Sequence, residues 1–242
     1  PEEIKRGFSL YAALAPVIWK NKKINFIDTP GYFDFVGEVY QAVRVADSAI
    51  ITVDAKSGVE VGTELAWDYA SDAGIPRAFF INKSDDPEAN FSNVLDELKE
   101  TFGISVCPLI VPMTADRTTK GFINLASRKA YTFEKNGSYT EGDIPAEFES
   151  EAEELRAMLV ESVAENSEEL MEKFFADEEI SEQEIIDALR MGIKSASAAP
   201  VICGSATNVW CIEQLLDIIS ETFPSFLDRG NEKIEKDGET EE

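Results

Sequence analysis

The sequence predicts an α/β fold, a doubly wound and mostly parallel sheet with an inserted α+β subdomain. Three observations predict it. Short apolar runs at Ala49–Val53, Ala78–Ile81 and Ala199–Cys203 alternate with stretches of helical spacing, which is the rhythm of a parallel sheet. That rhythm breaks after Pro112 and resumes near residue 196. Two polar tetrapeptides, Asp28-Thr29-Pro30-Gly31 and Asn82-Lys83-Ser84-Asp85, directly follow apolar runs, and ligands of such sheets bind at the carboxyl ends of the strands.

In chain order, residues 1–10 are polar and irregular, and Leu10 to Trp19 is strand-like. Asn21-Lys22-Lys23 reads as a turn into a second strand, Ile24–Ile27, so the pair predicts a β-hairpin. Phe35, Val36, Val39, Ala42 and Val43 then share one helical face. The strand Ala49–Val53 stops at Asp54, and a helix over 60–73 ends at Gly74, a natural C-terminal cap. Strand Ala78–Ile81, a helix over 88–102 and a strand over 106–111 follow. Residues 121–146 read as short strands broken at Asn136-Gly137 and Gly142-Asp143, with Phe122, Tyr131 and Phe133 as core. Phe148, Ala152, Leu155, Leu159 and Val163 mark the apolar stripe of an acidic helix, with a shorter helix after it. Strand Ala199–Cys203 leads through Gly204-Ser205-Ala206 into a helix over 212–222 that ends before Pro224. The domain reading is 1–102 and 196–227 for the sheet domain, 103–195 for the insertion, and 228–242 for a charged linker or tail.

The 242 residues carry 47 acidic and 22 basic side chains, a formal net charge of −25. So negative a surface repels bare nucleic acid and attracts basic protein. Fifteen acids and two bases fall between Glu147 and Glu184, which reads either as a solvated face over a core stripe or as a docking face for a basic partner. Cys107, Cys203 and Cys211 contain no C-x-x-C, and the absence of histidine removes the commonest general base. No apolar run reaches about 18 residues and no signal-peptide pattern is present, so the sequence predicts a cytoplasmic protein without a membrane span.

The two tetrapeptides carry chemistry. Asp28 at a strand end can hold hydrated Mg²⁺, and three residues later Gly31 lets a backbone N–H approach a terminal phosphate. Pro30 fixes one torsion beside it, and Gly31 is predicted to supply backbone freedom. Asp-x-x-Gly alone is a weak signal whose bland reading is a strand-ending turn. Asn-x-x-Asp with an intervening lysine is stronger. The Asp85 carboxylate can accept from N1–H and N2–H₂ of guanine, an edge that adenine lacks, while Asn82 braces the loop and the Lys83 stem lies along the base. The alternative is a solvated loop in which Asp85 or Asp86 caps a helix beginning near Pro87.

Asp28-Thr29-Pro30-Gly31, Asn82-Lys83-Ser84-Asp85 and Gly204-Ser205-Ala206, in that order, resemble the translational GTPases, and the pattern is most similar to elongation factor G and its paralogues. Glu3-Ile4-Lys5-Arg6-Gly7-Phe8-Ser9 is similar to the first switch of that family, and Val53–Val59 and Ser167–Lys173 also fit. The resemblance runs from residue 1 to about 227 and includes the long insertion characteristic of elongation factor G. It implies a P-loop GTPase-like fold, GTP or GDP with Mg²⁺ as ligands, and a ribosome as partner. By this resemblance Asp28 and Ser9 act on Mg²⁺, and Gly31 acts on the γ-phosphate. Asn82, Lys83 and Asp85 hold guanine, and Ser205 and Ala206 close over its O6. Tyr32 stands where the family has the histidine that positions the attacking water.

The sequence also departs from the family. The phosphate-cradling Gly-x-x-x-x-Gly-Lys-Ser/Thr loop is absent, so the chain reads as part of a longer protein and is expected to bind GTP poorly and to be inactive on its own. The phenol of Tyr32 is a poor proton acceptor, so it reads either as a water-orienting hydroxyl or as an aromatic packing on the following helix. Thr207–Cys211 depart from the family's loop, with Cys211 where glycine is usual.

The leading expectation is therefore the GTP-binding domain of an elongation factor that hydrolyses GTP to drive translocation. A basic ribosomal stalk protein would dock on its acidic insertion, with no direct nucleic-acid contact by this domain. The rivals are a guanine-nucleotide-dependent ribosome-binding factor with slow or no hydrolysis, and a ribosomal protection or release-factor relative.

Overall fold

A computed structural model describes residues 2–228 except 135, 136, 166 and 177, together with the backbone of 234–236 and 239–241. The elements are α1 (Glu2–Arg6), β1 (Ala13–Trp19), β2 (Lys22–Asp28), α2 (Val36–Val45), β3 (Ala49–Asp54), α3 (Val61–Asp72), β4 (Arg77–Asn82) and α4 (Phe91–Phe102). After them come β5 (Val106–Ala115), β6 (Thr118–Asn124), β7 (Lys129–Phe133), β8 (Tyr139–Asp143), α5 (Glu149–Ala164), α6 (Glu168–Phe175), α7 (Glu182–Lys194), β9 (Ala199–Cys203) and α8 (Ile212–Thr222). Two short strands, β10 (Ile234–Lys236) and β11 (Glu239–Glu241), pair with each other in the segment read as a charged tail.

The central sheet has the order β3-β4-β9-β5-β6-β7-β8. Its first four strands are parallel, joined by helical crossovers, and the last four form an antiparallel meander. Strands β4 and β9 are buried on both faces, which is why they read as unbroken apolar runs instead of alternating ones. Phe79, Ile81, Leu109, Ile110, Val201 and Ile202 are fully buried. Trp67 of α3 stacks on Phe79 with ring centroids 5.5 Å apart and on Phe102 at 4.5 Å, closing the core from the helix side. The acidic α5 lays Phe148, Ala152, Leu155, Leu159 and Val163 into the same core cluster, so the predicted stripe faces inward. The parallel register pairs Val53 with Ile81 and Asp54 with Asn82, which sets the ends of β3 and β4 side by side.

Several local expectations need correction. The segment before Leu10 includes a short helix, and β1 starts only at Ala13. The hairpin turns at Lys20-Asn21, both with positive φ (43° and 63°), so Lys22 and Lys23 belong to β2. Two-residue turns with this backbone match the twist of the flanking strands, and asparagine tolerates the conformation best. The helix predicted near Pro87 starts at Phe91, and its cap is Asn90, whose side chain accepts from the Asn93 N–H. Asp86 instead caps a turn through the Glu88 N–H. Gly142-Asp143 lies inside β8, while the break between β6 and β7 falls at 125–128, where Asn124 accepts from the Ala126 and Ser127 N–H groups. The predicted turn at 136–137 lies partly outside the described residues. Helix α7, whose Ile185, Leu189 and Ile193 are fully buried, has no counterpart in the sequence reading.

The hairpin β1–β2 forms no ladder with the central sheet among the described residues. It is held at its turn by α8. The Trp19 indole donates to Asp217 at 2.6 Å, Lys20 pairs with the same carboxylate at 2.7 Å, and the Lys22 ammonium donates to the Ser220 carbonyl.

Candidate functional site

Two groups of residues stand at the carboxyl ends of the strands. The first is built on β2. Asp28 closes that strand, and the Ser9 hydroxyl donates to its Oδ2 at 3.4 Å. The segment carrying Ser9 is fastened on both sides. The Glu3 carboxylate accepts from the N–H groups of Leu10 at 2.7 Å and Tyr11 at 3.2 Å, and these bonds hold its carboxyl below the ordinary range. Glu38 of α2 accepts from the Ala12 N–H at 2.8 Å. The structure thus brings together the two residues read from the sequence as Mg²⁺-facing. Two adjacent exposed oxygens suit Mg²⁺, which takes one or two protein ligands and fills its remaining positions with water and phosphate. No group of three histidine, cysteine, aspartate or glutamate side chains suited to a metal occurs among the described residues, so a tightly caged ion does not fit.

Pro30 is buried beside Asp28, and Gly31 is exposed. Gly31 does not have a positive φ, and no atom lies within 4 Å of where its Cβ would stand. The expected need for backbone freedom is therefore not what this structure displays; what the glycine leaves is an N–H unshielded by a side chain. Tyr32 is 55% exposed, with its ring 4.4 Å from Phe8 between centroids and tilted by 45°. Its aromatic contact thus reaches back to the segment carrying Ser9, not forward onto the following helix. The Tyr32 hydroxyl has no hydrogen-bond partner among the described residues.

The second group joins the ends of β4 and β9. Asn82 Oδ1 accepts from the Lys83 N–H at 2.8 Å and from the Ala206 N–H at 2.9 Å, so one side chain locks both loops together. The backbone continues this lock, with Gly204 N–H donating to the Ile81 carbonyl at 3.0 Å and Ser84 N–H donating to the Gly204 carbonyl at 3.1 Å. Gly204 is required here. A Cβ would stand 2.4 Å from the Trp210 carbonyl oxygen and 2.9 Å from the Phe80 ring. Ser205 is 1% exposed and its hydroxyl accepts from the Asn208 N–H at 3.2 Å, while Ala206 is exposed. Val209 and Cys211 both adopt φ of 59°, a left-handed backbone that glycine takes at lower cost. Cys211 takes that conformation with its side chain fully buried, and burial raises its thiol pKa well above the ordinary value.

Asp85 is exposed and accepts no hydrogen bond from the described residues, so its carboxylate is free for a ligand. Lys83 has φ of 61°, and its ammonium pairs with Asp54 Oδ2 at 2.6 Å. That contact raises the pKa of Lys83 and holds Asp54 below the usual carboxylate range. Three participants escaped sequence reasoning. Asp54 was legible as the residue ending a strand and as part of Val53–Val59, a stretch similar to the family, but with no role of its own. Phe8 lies in the stretch similar to the family's first switch, but nothing in that stretch signals its contact with Tyr32. Thr119, at the start of β6, donates its hydroxyl to the Ser84 carbonyl at 2.5 Å, a contact across 35 positions that no local pattern announces.

Such an arrangement can bind a planar base between the β4 and β9 loops and place a phosphate-bound cation near Asp28. The chain matches the elongation factor Tu GTP-binding domain over residues 1–225. It is also similar to the crystal structure of a protein from Thermus thermophilus, with 30% sequence identity and a TM-score of 0.87. That match covers 96% of this chain and 35% of the Thermus chain, so the chain spans about a third of the length of the protein it resembles. Sheet, loops and sequence agree that the chain belongs to the elongation factor Tu GTP-binding domain family of translational GTPases.

Proposed function

We propose that this chain is the guanine-nucleotide-binding domain of a ribosome-associated elongation factor whose GTP hydrolysis drives translocation. The observation that carries the guanine reading is the double acceptance by Asn82 Oδ1, which joins the 82–85 loop to Ala206 while leaving the Asp85 carboxylate free. Asp85 then accepts from N1–H and N2–H₂ of guanine, and the Ala206 side of the site faces O6. Ser9 and Asp28 would hold Mg²⁺, and the Gly31 N–H would donate to the terminal phosphate. When bound, the ion spreads the charge that develops on the phosphates during transfer. The insertion spanning 103–195 forms the docking subdomain in this reading. Its acidic helices α5 and α6 face a basic protein of the ribosomal stalk, and the parent protein works in the cytoplasm.

A second reading is favoured by one observation. Tyr32 packs on Phe8, and its hydroxyl holds no partner that would aim it at water. Phosphoryl transfer depends on positioning, so this arrangement binds nucleotide and turns it over slowly. The discriminating experiment is GTP hydrolysis by the protein that carries this chain, with and without ribosomes, beside a Tyr32→His version. Strong ribosome stimulation of the tyrosine form supports the elongation factor. Nucleotide binding without stimulation, restored by histidine, transfers the assignment to the slow switch.

A further inference from the structure

Lys83 sits in a conformation that needs support. Its φ of 61° is left-handed, a region that side chains other than glycine, asparagine and aspartate seldom occupy. Support comes from both ends: Asn82 Oδ1 accepts from its backbone N–H at 2.8 Å, and Asp54 Oδ2 accepts from its ammonium at 2.6 Å. Asp54 is itself fixed. Its other oxygen, Oδ1, accepts from the N–H groups of Lys56 at 2.9 Å and Ser57 at 3.2 Å. The Asp54 side chain is 24% exposed, against 62% for Lys83, so the carboxylate is the sheltered peg and the lysine the movable partner. The loop that follows is tied to the same region, with Ala55 N–H donating to the Asn82 carbonyl at 2.9 Å and Asn90 N–H donating to the Ala55 carbonyl at 2.9 Å.

We infer that Asp54 is a positioning residue for the base site: by anchoring the ammonium, it holds the apolar stem of Lys83 in place to cover one face of the bound base. This rests on reading the 82–85 loop as the guanine site. A lysine stem left free has several rotatable bonds to immobilise when ligand arrives, and an anchor fixed to the end of β3 removes part of that ordering cost before binding. The parallel register makes the anchor possible, because Asp54 lies directly opposite Asn82 in the ladder.

The test uses the protein that carries this chain and GDP as the probe, with binding followed by equilibrium titration. Asp54→Asn, which keeps the shape and removes the charge, is expected to weaken GDP binding about fivefold, and Lys83→Met to weaken it by at least as much. In the Asp54→Asn/Lys83→Met double variant the asparagine is expected to add less than about twofold, because the anchor then has nothing to hold. Asp54→Glu, which retains the carboxylate, is expected to recover most of the loss. A merely structural role for Asp54 predicts a different set: lower Tm without ligand, additive losses in the double variant and no recovery by glutamate, and that set overturns the inference. Normal binding by Asp54→Asn beside a loss in Lys83→Met overturns it as well, while leaving the guanine site standing. Absence of GDP binding by the unaltered protein, or indifference to Lys83→Met, overturns the reading of the site and the inference with it.

Discussion

At the residue scale the site divides by what its chemistry demands of a single side chain. The proposed role of Asp85 is legible from sequence because only a carboxylate can accept both guanine N–H groups, and the structure leaves it exposed without a hydrogen-bond partner among the described residues. That makes a sharp expectation. Asp85→Asn presents a donor and an acceptor where two acceptors were, so it should lose GDP by about 100-fold and gain the diphosphate of xanthosine, whose second oxygen can accept from the new amide. Competition between the two nucleotides reads this directly, and equal weakening of both would show that Asp85 does not face the base. Asn82 was equally legible, since a loop brace needs an acceptor of fixed direction. Asp54, Thr119 and Phe8 were not, because each acts through a partner distant in sequence: 29 positions for Asp54 to Lys83, 35 for Thr119 to Ser84. Sequence exposes chemistry that a residue must carry itself, and it hides chemistry that arises when folding brings neighbours together.

At the scale of elements the same distinction holds. The strands β4 and β9 announced themselves because burial on both faces enforces unbroken apolar runs, while the edge strand β3 did so by a short apolar run that ends at Asp54. Helix α5 was legible from an apolar stripe that survives among many acids. Helix α7 is not legible in the sequence although it carries a capping box at its start, because the apolar spacing of Ile185, Leu189 and Ile193 directly follows a run of acids. In that box the Ser181 hydroxyl accepts from the Glu184 N–H while Glu184 accepts from the Ser181 N–H at 2.9 Å and also pairs with Lys173 of α6. Glu184 is lowered to about 2 from the ordinary 4.5, chiefly by Lys173 and then by Ser181. A carboxyl lowered in the folded state stabilises above its unfolded value and loses that contribution as pH falls through the folded one. The urea midpoint of Glu184→Gln should therefore lie below that of the unaltered protein at about pH 6. The gap should narrow progressively between pH 4.5 and about 2. A gap independent of pH would assign the loss to packing.

Over the whole molecule, the two halves of the proposed nucleotide site are built on different supports. The loops proposed to hold guanine grow from the central sheet, whereas Asp28 ends a hairpin that shares no ladder with that sheet among the described residues. What aligns the hairpin is helix α8, which begins just beyond the Ser205-Ala206 loop and receives Trp19, Lys20 and Lys22 near its far end. Helix α8 is in turn tied to α7 by the Arg190 guanidinium, which donates to the Glu221 carbonyl at 2.8 Å. Asp217 is the shared acceptor in this cluster, and Lys20 is raised chiefly by its hydrogen bond to that carboxylate. A hydrogen bond to a charged acceptor contributes roughly 1.5–3 kcal/mol when sheltered. With the Asp217 side chain 35% exposed and Lys20 56% exposed, solvent screening leaves about 1 kcal/mol. Asp217→Ala should therefore speed amide exchange across β1 and β2 by roughly fivefold while leaving β4 and β9 unchanged. The indole N–H resonance of Trp19 should move, and those of Trp67 and Trp210, whose ring contacts lie elsewhere, should not. Faster exchange throughout the central sheet would mean that Asp217 supports global stability. Unchanged exchange in the hairpin would mean that packing alone docks it, and that the Asp28 end of the site is aligned with the guanine end by some contact other than this ionic clip.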